Sequence, residues 1–264
     1  MNGQGRSRTV ARVLSGLLAA VAMVWAGATQ AAPISGQGTW ETKLKARDIN
    51  GNPLASLLDP NAKFFYDTDL NLTWLANWNV NGLMNWATAK SWAEGLSYTI
   101  GSVVVDDWVL PSVLDIGNNG CDFGYVGTDC GYNVYSGEVQ RRGSPMAHMF
   151  YDTLGNLASY DTSGAERPGN AGIDWGLANT GPFSNMQPYA YWSGTAYAPA
   201  PATLAWFFGN FAGRQNRDAK DPGEDLLYAV AVRPGDVANA PEPGSLALLG
   251  IALAGLVATR RRRQ

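Results

Sequence analysis

Ten tryptophans, a surplus of carboxylates, two cysteines and a single histidine are the side chains of this 264-residue chain that could do chemistry. Tryptophan offers a flat apolar face on which the C–H face of a sugar can stack. Trp74, Trp92, Trp108, Trp192 and Trp206 fall in regular elements and read as core, whereas Trp78, Trp86 and Trp175 are freer and are candidates for glycan stacking. Asp218, Asp221, Glu224 and Asp225 share one loop and could gather oxygen ligands for calcium, against the plainer reading of a solvated acidic loop. Asp67-Thr68-Asp69-Leu70-Asn71 starts like an EF-hand loop. Leu72 stands where its glycine belongs, however, and Trp78 where its bidentate glutamate belongs, so the segment reads as a turn. His148, with no acid that the sequence assigns to it, reads as a packing or surface residue rather than a catalyst. A Gly-x-Ser-x-Gly elbow, a His-Glu-x-x-His helix and a glycine-rich phosphate loop are all missing from the sequence. Carboxylates are numerous enough to leave a glycosidase pair open, but their number fixes no spacing.

The elements that must position these residues are short. Glycine, asparagine, aspartate and proline recur about every ten residues with aromatic-rich runs between them, the pattern of a loop-rich α+β domain. Trp40 to Asp48 is expected as a first strand, and Phe64–Asp67 with Leu70–Leu75 as a hairpin through Asp67-Thr68-Asp69. From Leu83 to Leu96 the spacing changes to that of an amphipathic helix. A second helix is expected from Pro145 to Gly155, with Ser144 as its N-cap and His148 inside it. Ala190–Thr195, Leu204–Phe208 and Leu227–Arg233 read as three strands, the last so apolar that it should be covered on both faces.

Both ends of the chain carry processing signals. Arg6, Arg8 and Arg12 precede an apolar stretch from Val13 to Gly27 and a small-residue run through Ala31 and Ala32, which reads as a signal peptide over residues 1–31 with cleavage expected after Ala31. The Sec translocon and a signal peptidase are the implied partners. At the other end Pro241-Glu242-Pro243 is followed by an apolar segment from Leu246 to Ala258 and by Arg260 to Arg263. As a helix that segment would cover about 20 Å, short of a ~30 Å hydrocarbon core, so it could span only by snorkelling or local thinning. The arginines would stay cytoplasmic, leaving the preceding domain on the outer side.

Residues 241–264 resemble the PEP-CTERM sorting signal in tripeptide, short transmembrane helix and basic end. The resemblance implies exosortase processing at Pro241, Glu242 and Pro243 and a Gram-negative source, often one that makes exopolysaccharide. It also implies an inner-membrane intermediate that ends on the outer surface or in the extracellular matrix. In such an oxidising location Cys121 and Cys130, with eight residues between them, read as a disulfide; with the only histidine far along the chain, a metal site there is disfavoured.

Residues 33–240 are expected to form a single globular domain. They hold 21 acidic and 12 basic residues, a net of −9, whereas seven of the basic residues lie in the terminal signals. That balance argues against nucleic acid and anionic lipid as partners, both of which reward clustered lysine and arginine.

Five segments in order carry a second resemblance, over about residues 64–234. They are Leu70-Asn71-Leu72-Thr73-Trp74-Leu75; Trp86-Ala87-Thr88-Ala89 with Trp92-Ala93; Asp107-Trp108-Val109-Leu110-Pro111-Ser112; Tyr191-Trp192-Ser193-Gly194; and Val230-Ala231-Val232-Arg233. Together they resemble the carboxy-terminal domain of Legionella collagen-like protein, a family related to the C-type lectin-like fold. Val109 replaces the family's arginine and Asn71 its glycine, and Gln187-Pro188-Tyr189 lacks the acidic third residue of calcium-dependent sugar-binding lectins. Formylglycine-generating enzymes share a lectin-like fold and use cysteine chemistry, but this cysteine pair in a glycine-rich insertion fits a staple better. The expectation is a non-enzymatic glycan-binding or adhesion module associated with exopolysaccharide. A structural matrix or biofilm component and a glycan-active enzyme are the alternatives.

Overall fold

Because turn residues interrupt the aromatic runs, each run forms a strand of only two to seven residues, and stability has to come from how the strands stack. The computed structural model describes residues 31–115, 117, 120–134, 144–221, 223 and 226–239. It is mixed α+β and rich in sheet. The amino-terminal segment opens with a four-residue helix α1 (Trp40–Lys43) followed by β1 (Leu44–Arg47). The continuous strand expected from Trp40 is therefore halved. The helical turn buries Trp40 while β1 buries Leu44 and Ala46, an arrangement that strict alternation from Trp40 would not give.

Strands β2 (Phe64–Asp67) and β3 (Leu72–Leu75) form the expected hairpin, Phe64 opposite Leu75 and Asp67 opposite Leu72. Asn71 sits at φ 53° in its turn, a left-handed position that asparagine tolerates. Helix α2 (Trp86–Glu94) occupies the middle of the expected span. The Asn85 side chain accepts from the Thr88 N–H at 2.9 Å to cap it, Gly95 ends it, and Ala89 and Ala93 form its buried stripe. A small hairpin follows, β4 (Tyr98–Ile100) with β5 (Val103–Val105), and then the pair β6 (Phe123–Gly124) and β7 (Cys130–Tyr132), which run parallel.

The second expected helix begins as α3 (Pro145–His148) and widens into a π-helical turn over Met149–Thr153. Ser144 precedes it but does not cap it. Its buried hydroxyl donates to Gln215 Oε1 at 2.5 Å, so the side chain ties the helix to a neighbouring strand instead. His148 is buried, with Nδ1 3.1 Å from Asp152 Oδ2 one turn on.

Strands β8 (Ala190–Ala196), β9 (Leu204–Gly209) and β10 (Arg214–Ala219) complete a five-stranded sheet of order β6-β7-β10-β9-β8. A four-stranded sheet has the order β1-β2-β3-β11, where β11 is Val232–Pro234. The strand expected from Leu227 to Arg233 is real as a buried segment but not as one strand. Leu227 bridges Met84, Tyr228 bridges Tyr191 of β8, and only from Val232 does it pair with β3. This segment thus stitches the two sheets together. The main core draws on both, with Phe65 and Trp74 from one and Tyr191, Trp206 and Phe208 from the other. A second cluster packs Phe64, Trp108, Trp192 and Phe207 beside α2. Each such side chain removed from water contributes roughly 1.5–3 kcal/mol.

Among the described residues no helix is long and apolar enough to cross a membrane. The signal segment up to residue 30 and the tail from 241 to 264, with its expected short helix, lie outside the described residues.

Candidate functional site

The three candidate stacking tryptophans occupy very different surroundings. Trp78 is a core residue, 1% exposed. Its ring lies parallel to Trp74 at 5.3 Å and meets the edges of Phe183 and Tyr191, so no face is left for a sugar. Its backbone N–H donates to Ser184 O at 3.0 Å, which draws the polar loop around it over the core instead of away from it. Trp92, expected in the core, is only half-buried at the flank of α2.

Trp86 is half-buried at the start of α2, where its indole N–H donates to Ser193 O at 2.8 Å. The Lys220 ammonium stands 3.7 Å from the ring centroid and donates to Pro201 O at 2.7 Å. Burial of Lys220 against this ring lowers its pKa. A ligand would have to displace that cation to reach the ring.

Trp175 belongs to a tight loop, in which Gly172 N–H donates to the Trp175 carbonyl at 2.6 Å and the base is closed by Gly176 bonding to Leu157 O at 2.8 Å. This loop forms one wall of a cleft of about 600 Å³. Ala171, Gly172 and Ile173 line that wall, Asn185, Met186, Gln187 and Pro188 face them, and Leu177, Phe211 and Ala31 complete the lining. Ile173 projects with 72% of its surface exposed, which for an isoleucine marks a rim without a protein partner. The facing wall is rigid. Asn185 holds a left-handed backbone at φ 56° and donates to Asn77 Oδ1 at 3.2 Å, Gln187 Nε2 donates to Asn185 O at 2.9 Å, and the Gln187 N–H donates to Tyr191 Oη at 2.8 Å. Tyr191 is buried, and that burial raises its phenol pKa well above the ordinary value, fixing it as a neutral hydroxyl. Gly176 is required at the base, since a Cβ there would stand 2.6 Å from the Phe211 carbonyl oxygen. The lining combines apolar surface with two primary amides and has no ionisable side chain, so it is equipped to hold a neutral polar ligand and offers no group for proton transfer.

Trp175 itself does not line the cleft that its loop walls, and the other candidate residues do not join it either. Cys121 and Cys130 form a disulfide, with Cα atoms 5.2 Å apart. Inside its loop, Asp129 accepts from the N–H groups of Gly117 at 2.7 Å and Asp122 at 3.0 Å. Burial first, and then the bond and charge of Asp129, push the neighbouring Asp115 up to about 6. Of the four proposed calcium ligands, Asp218 bonds the Ala219 N–H at 2.9 Å and Asp221 the Gly223 N–H at 2.9 Å. Glu224 and Asp225 lie outside the described residues. Among the described residues no three His, Cys, Asp or Glu side chains gather as a metal would need. The Asp67 turn is closed by Asp67 Oδ1 accepting from Asp69 and Leu70 N–H groups at 2.9 and 3.2 Å, as a turn and not a cation loop would have it. Sequence reasoning missed the cleft because its lining comes from four separated segments, with only the glycine and asparagine density of 169–185 hinting at a built loop.

Residues 239–263 match the PEP-CTERM protein-sorting motif, which begins at the last residue of the final described turn, Val237–Asn239. The chain therefore carries the sorting signal of an exosortase substrate exported through the cell envelope. No curated protein and no solved structure matches the chain.

Proposed function

We propose that this exported, exosortase-sorted protein displays a non-catalytic, glycan-binding domain outside the cell, where exopolysaccharide supplies the ligand. The sorting motif at residues 239–263 carries the reading, because it delivers the domain to the envelope. The cleft beside Trp175 is the binding site in this proposal. Its two amides can each give and accept a hydrogen bond, and its apolar wall suits the C–H face of a sugar. A C-type lectin-like ancestry for the domain is part of the same proposal. It is supported by where the five motif segments lie: Val109 bridges Val232, the Trp192 indole donates to Met84 O at 2.8 Å beside α2, and β3 pairs with β11. The route begins with Sec export and signal peptidase cleavage after Ala31, which takes Ala31 out of the cleft lining and leaves its other nine residues in place, and it ends on the outer surface or in the matrix. Calcium at Asp218, Asp221, Glu224 and Asp225 would be an addition to this scheme and not its basis.

A glycan array with the processed protein, run with calcium and again with chelator, tests the proposal. Retention of glycans in both conditions, weakened about tenfold by Gln187→Ala in folded protein, is the expected result. Retention lost with chelator would move the site to the acidic loop, and absence of any retention would leave a structural matrix component.

A further inference from the structure

A second surface, at the disulfide loop, has the composition of a ligand platform. Phe123 and Tyr125 are 50% and 40% exposed, and they flank Tyr132 and Tyr160. The rings of Tyr125 and Tyr132 are parallel within 8° at 6.1 Å, and Tyr160 leans on both at 5.5 and 4.8 Å. The cluster is fixed from beneath. Asn133, held at φ 47°, donates through Nδ2 to the carbonyls of Tyr125 and Tyr160, both at 2.9 Å. Its own N–H donates to Tyr151 Oη at 3.0 Å. Gly164 lies against the Tyr125 ring, where a Cβ would come within 3.0 Å. The Cys121–Cys130 bond closes the loop that carries the first two rings.

What would cover such a surface follows from its chemistry. Among the described residues no partner holds the phenol oxygens of Tyr125, Tyr132 or Tyr160. An aliphatic partner would strand three hydroxyls away from water, each at a cost of roughly 1–3 kcal/mol. A hydroxylated ligand with C–H faces satisfies rings and phenols together. Charge narrows the class further. Glu166 pairs with Tyr160 in an antiparallel bridge, which sets an acidic residue beside the cluster, and the 33–240 region carries a net of −9, so a polyanion is disfavoured.

We infer that the Tyr125–Tyr132–Tyr160 cluster is a stacking platform for an uncharged polysaccharide chain, separate from the Trp175 cleft. The inference rests on the glycan-binding reading above and adds to it the site and the charge class of the polymer. With the backbones of Tyr125 and Tyr160 tied by Asn133 and the rings packed on one another, the cluster loses little freedom on binding, which favours retention of a repeating chain over a single sugar.

The test is affinity electrophoresis of the processed protein, purified from an exosortase-bearing Gram-negative host. The gels contain dextran, laminarin or galactomannan as neutral polymers, or alginate as the polyanion. At least one neutral polymer should retard the protein. Tyr125→Ala should weaken that binding tenfold or more and Tyr160→Phe about threefold, with unchanged circular dichroism and melting. Retardation that survives both tyrosine changes but is lost in Gln187→Ala would remove the tyrosine platform and keep the glycan reading. Retardation by alginate alone would overturn the charge argument and the proposal with it. No retardation by any polymer would remove both.

Discussion

Asp67 places a carboxyl inside the β2–β3 turn with one oxygen bonded to two backbone N–H groups and the other buried without a partner. Burial outweighs those two bonds and pushes its pKa up to about 6, with Asp69 adding to the rise and Lys43 opposing it. Asp115 is raised to about 6 as well. A carboxyl raised on folding stabilises fully below its unfolded value near 4, and that contribution is lost as pH rises through about 6. Glu41 and Asp161 are shifted down by the hydrogen bonds they accept, and at Asp48 burial raises the value but the bonds from Asn50 and Asn52 together outweigh it, so their contribution is present above about 4 and fades in stronger acid. The urea midpoint is therefore expected to be higher at pH 5 than at pH 7.5 and to fall again below pH 4. Asp67→Asn, which cannot ionise, should reduce the difference between pH 5 and 7.5; an undiminished difference would mean that Asp67 is not its source. None of this was readable in the sequence, where Asp67 is one of many turn aspartates. The same limit explains Trp78 and Trp92. Sequence shows that Trp78 lies among asparagines and Trp92 on a helix, but not that the loop folds its ring inward while Ala89 and Ala93 take the helix's buried stripe.

At the scale of elements, glycine decides whether the disulfide loop can form. Gly131 of β7 faces Gly124 of β6 so closely that a Cβ on Gly131 would stand 2.1 Å from the Gly124 carbonyl oxygen, and its φ is 110°. Gly101, in the β4–β5 turn, also has positive φ, at 60°, but open space where its Cβ would point. Gly101→Ala should cost about 1 kcal/mol, the strain of the left-handed backbone alone, whereas Gly131→Ala should cost about 3 kcal/mol or more because backbone has to move as well. Equal losses in urea denaturation would refute the close approach. The elements differ in how legible they were. The β2–β3 hairpin, α2, β8 and β9 follow from apolar spacing and turn residues, and the structure contains all four. Strand β10 did not, since Arg-Gln-Asn-Arg-Asp-Ala has no apolar alternation; its pairing with β9 along all six residues and with β7 is imposed by its neighbours. Gln215 in its middle is buried and donates to Asp129 O at 2.6 Å while accepting from Ser144. Gln215→Ala should cost about 2–3 kcal/mol by stranding those groups, measurable in the same urea series.

Over the whole molecule, the α+β class and the sorting tail were legible because composition and a contiguous motif carry them. Strand order was not, because it depends on contacts such as Val109 with Val232 and Tyr191 with Tyr228 that no local pattern encodes. The two ends of the folded region meet at another such contact. Arg47 of β1 binds Asp236 through both carboxylate oxygens, at 3.0 and 2.5 Å, with both side chains largely buried, and Asp236 also caps the final turn by accepting from Ala238 N–H. Three residues beyond Asp236 the sorting motif begins, so domain and signal adjoin without a spacer and share only Asn239. Folding and sorting should therefore separate under mutation. Arg47→Ala leaves a carboxylate buried without its partner and is expected to cost about 3–5 kcal/mol in unfolding free energy, while the chains that do fold still lose their tail. Replacing Pro241, Glu242 and Pro243 by alanine should leave unfolding unchanged, and a tail-bearing species should accumulate in the membrane fraction of an exosortase-bearing host. Pulse–chase fractionation reads both results. A triple-alanine chain that leaves the membrane at the normal rate would show that the tripeptide is not the processing determinant, and an Arg47→Ala chain that folds but keeps its tail would show that the Arg47–Asp236 closure presents the motif to the protease.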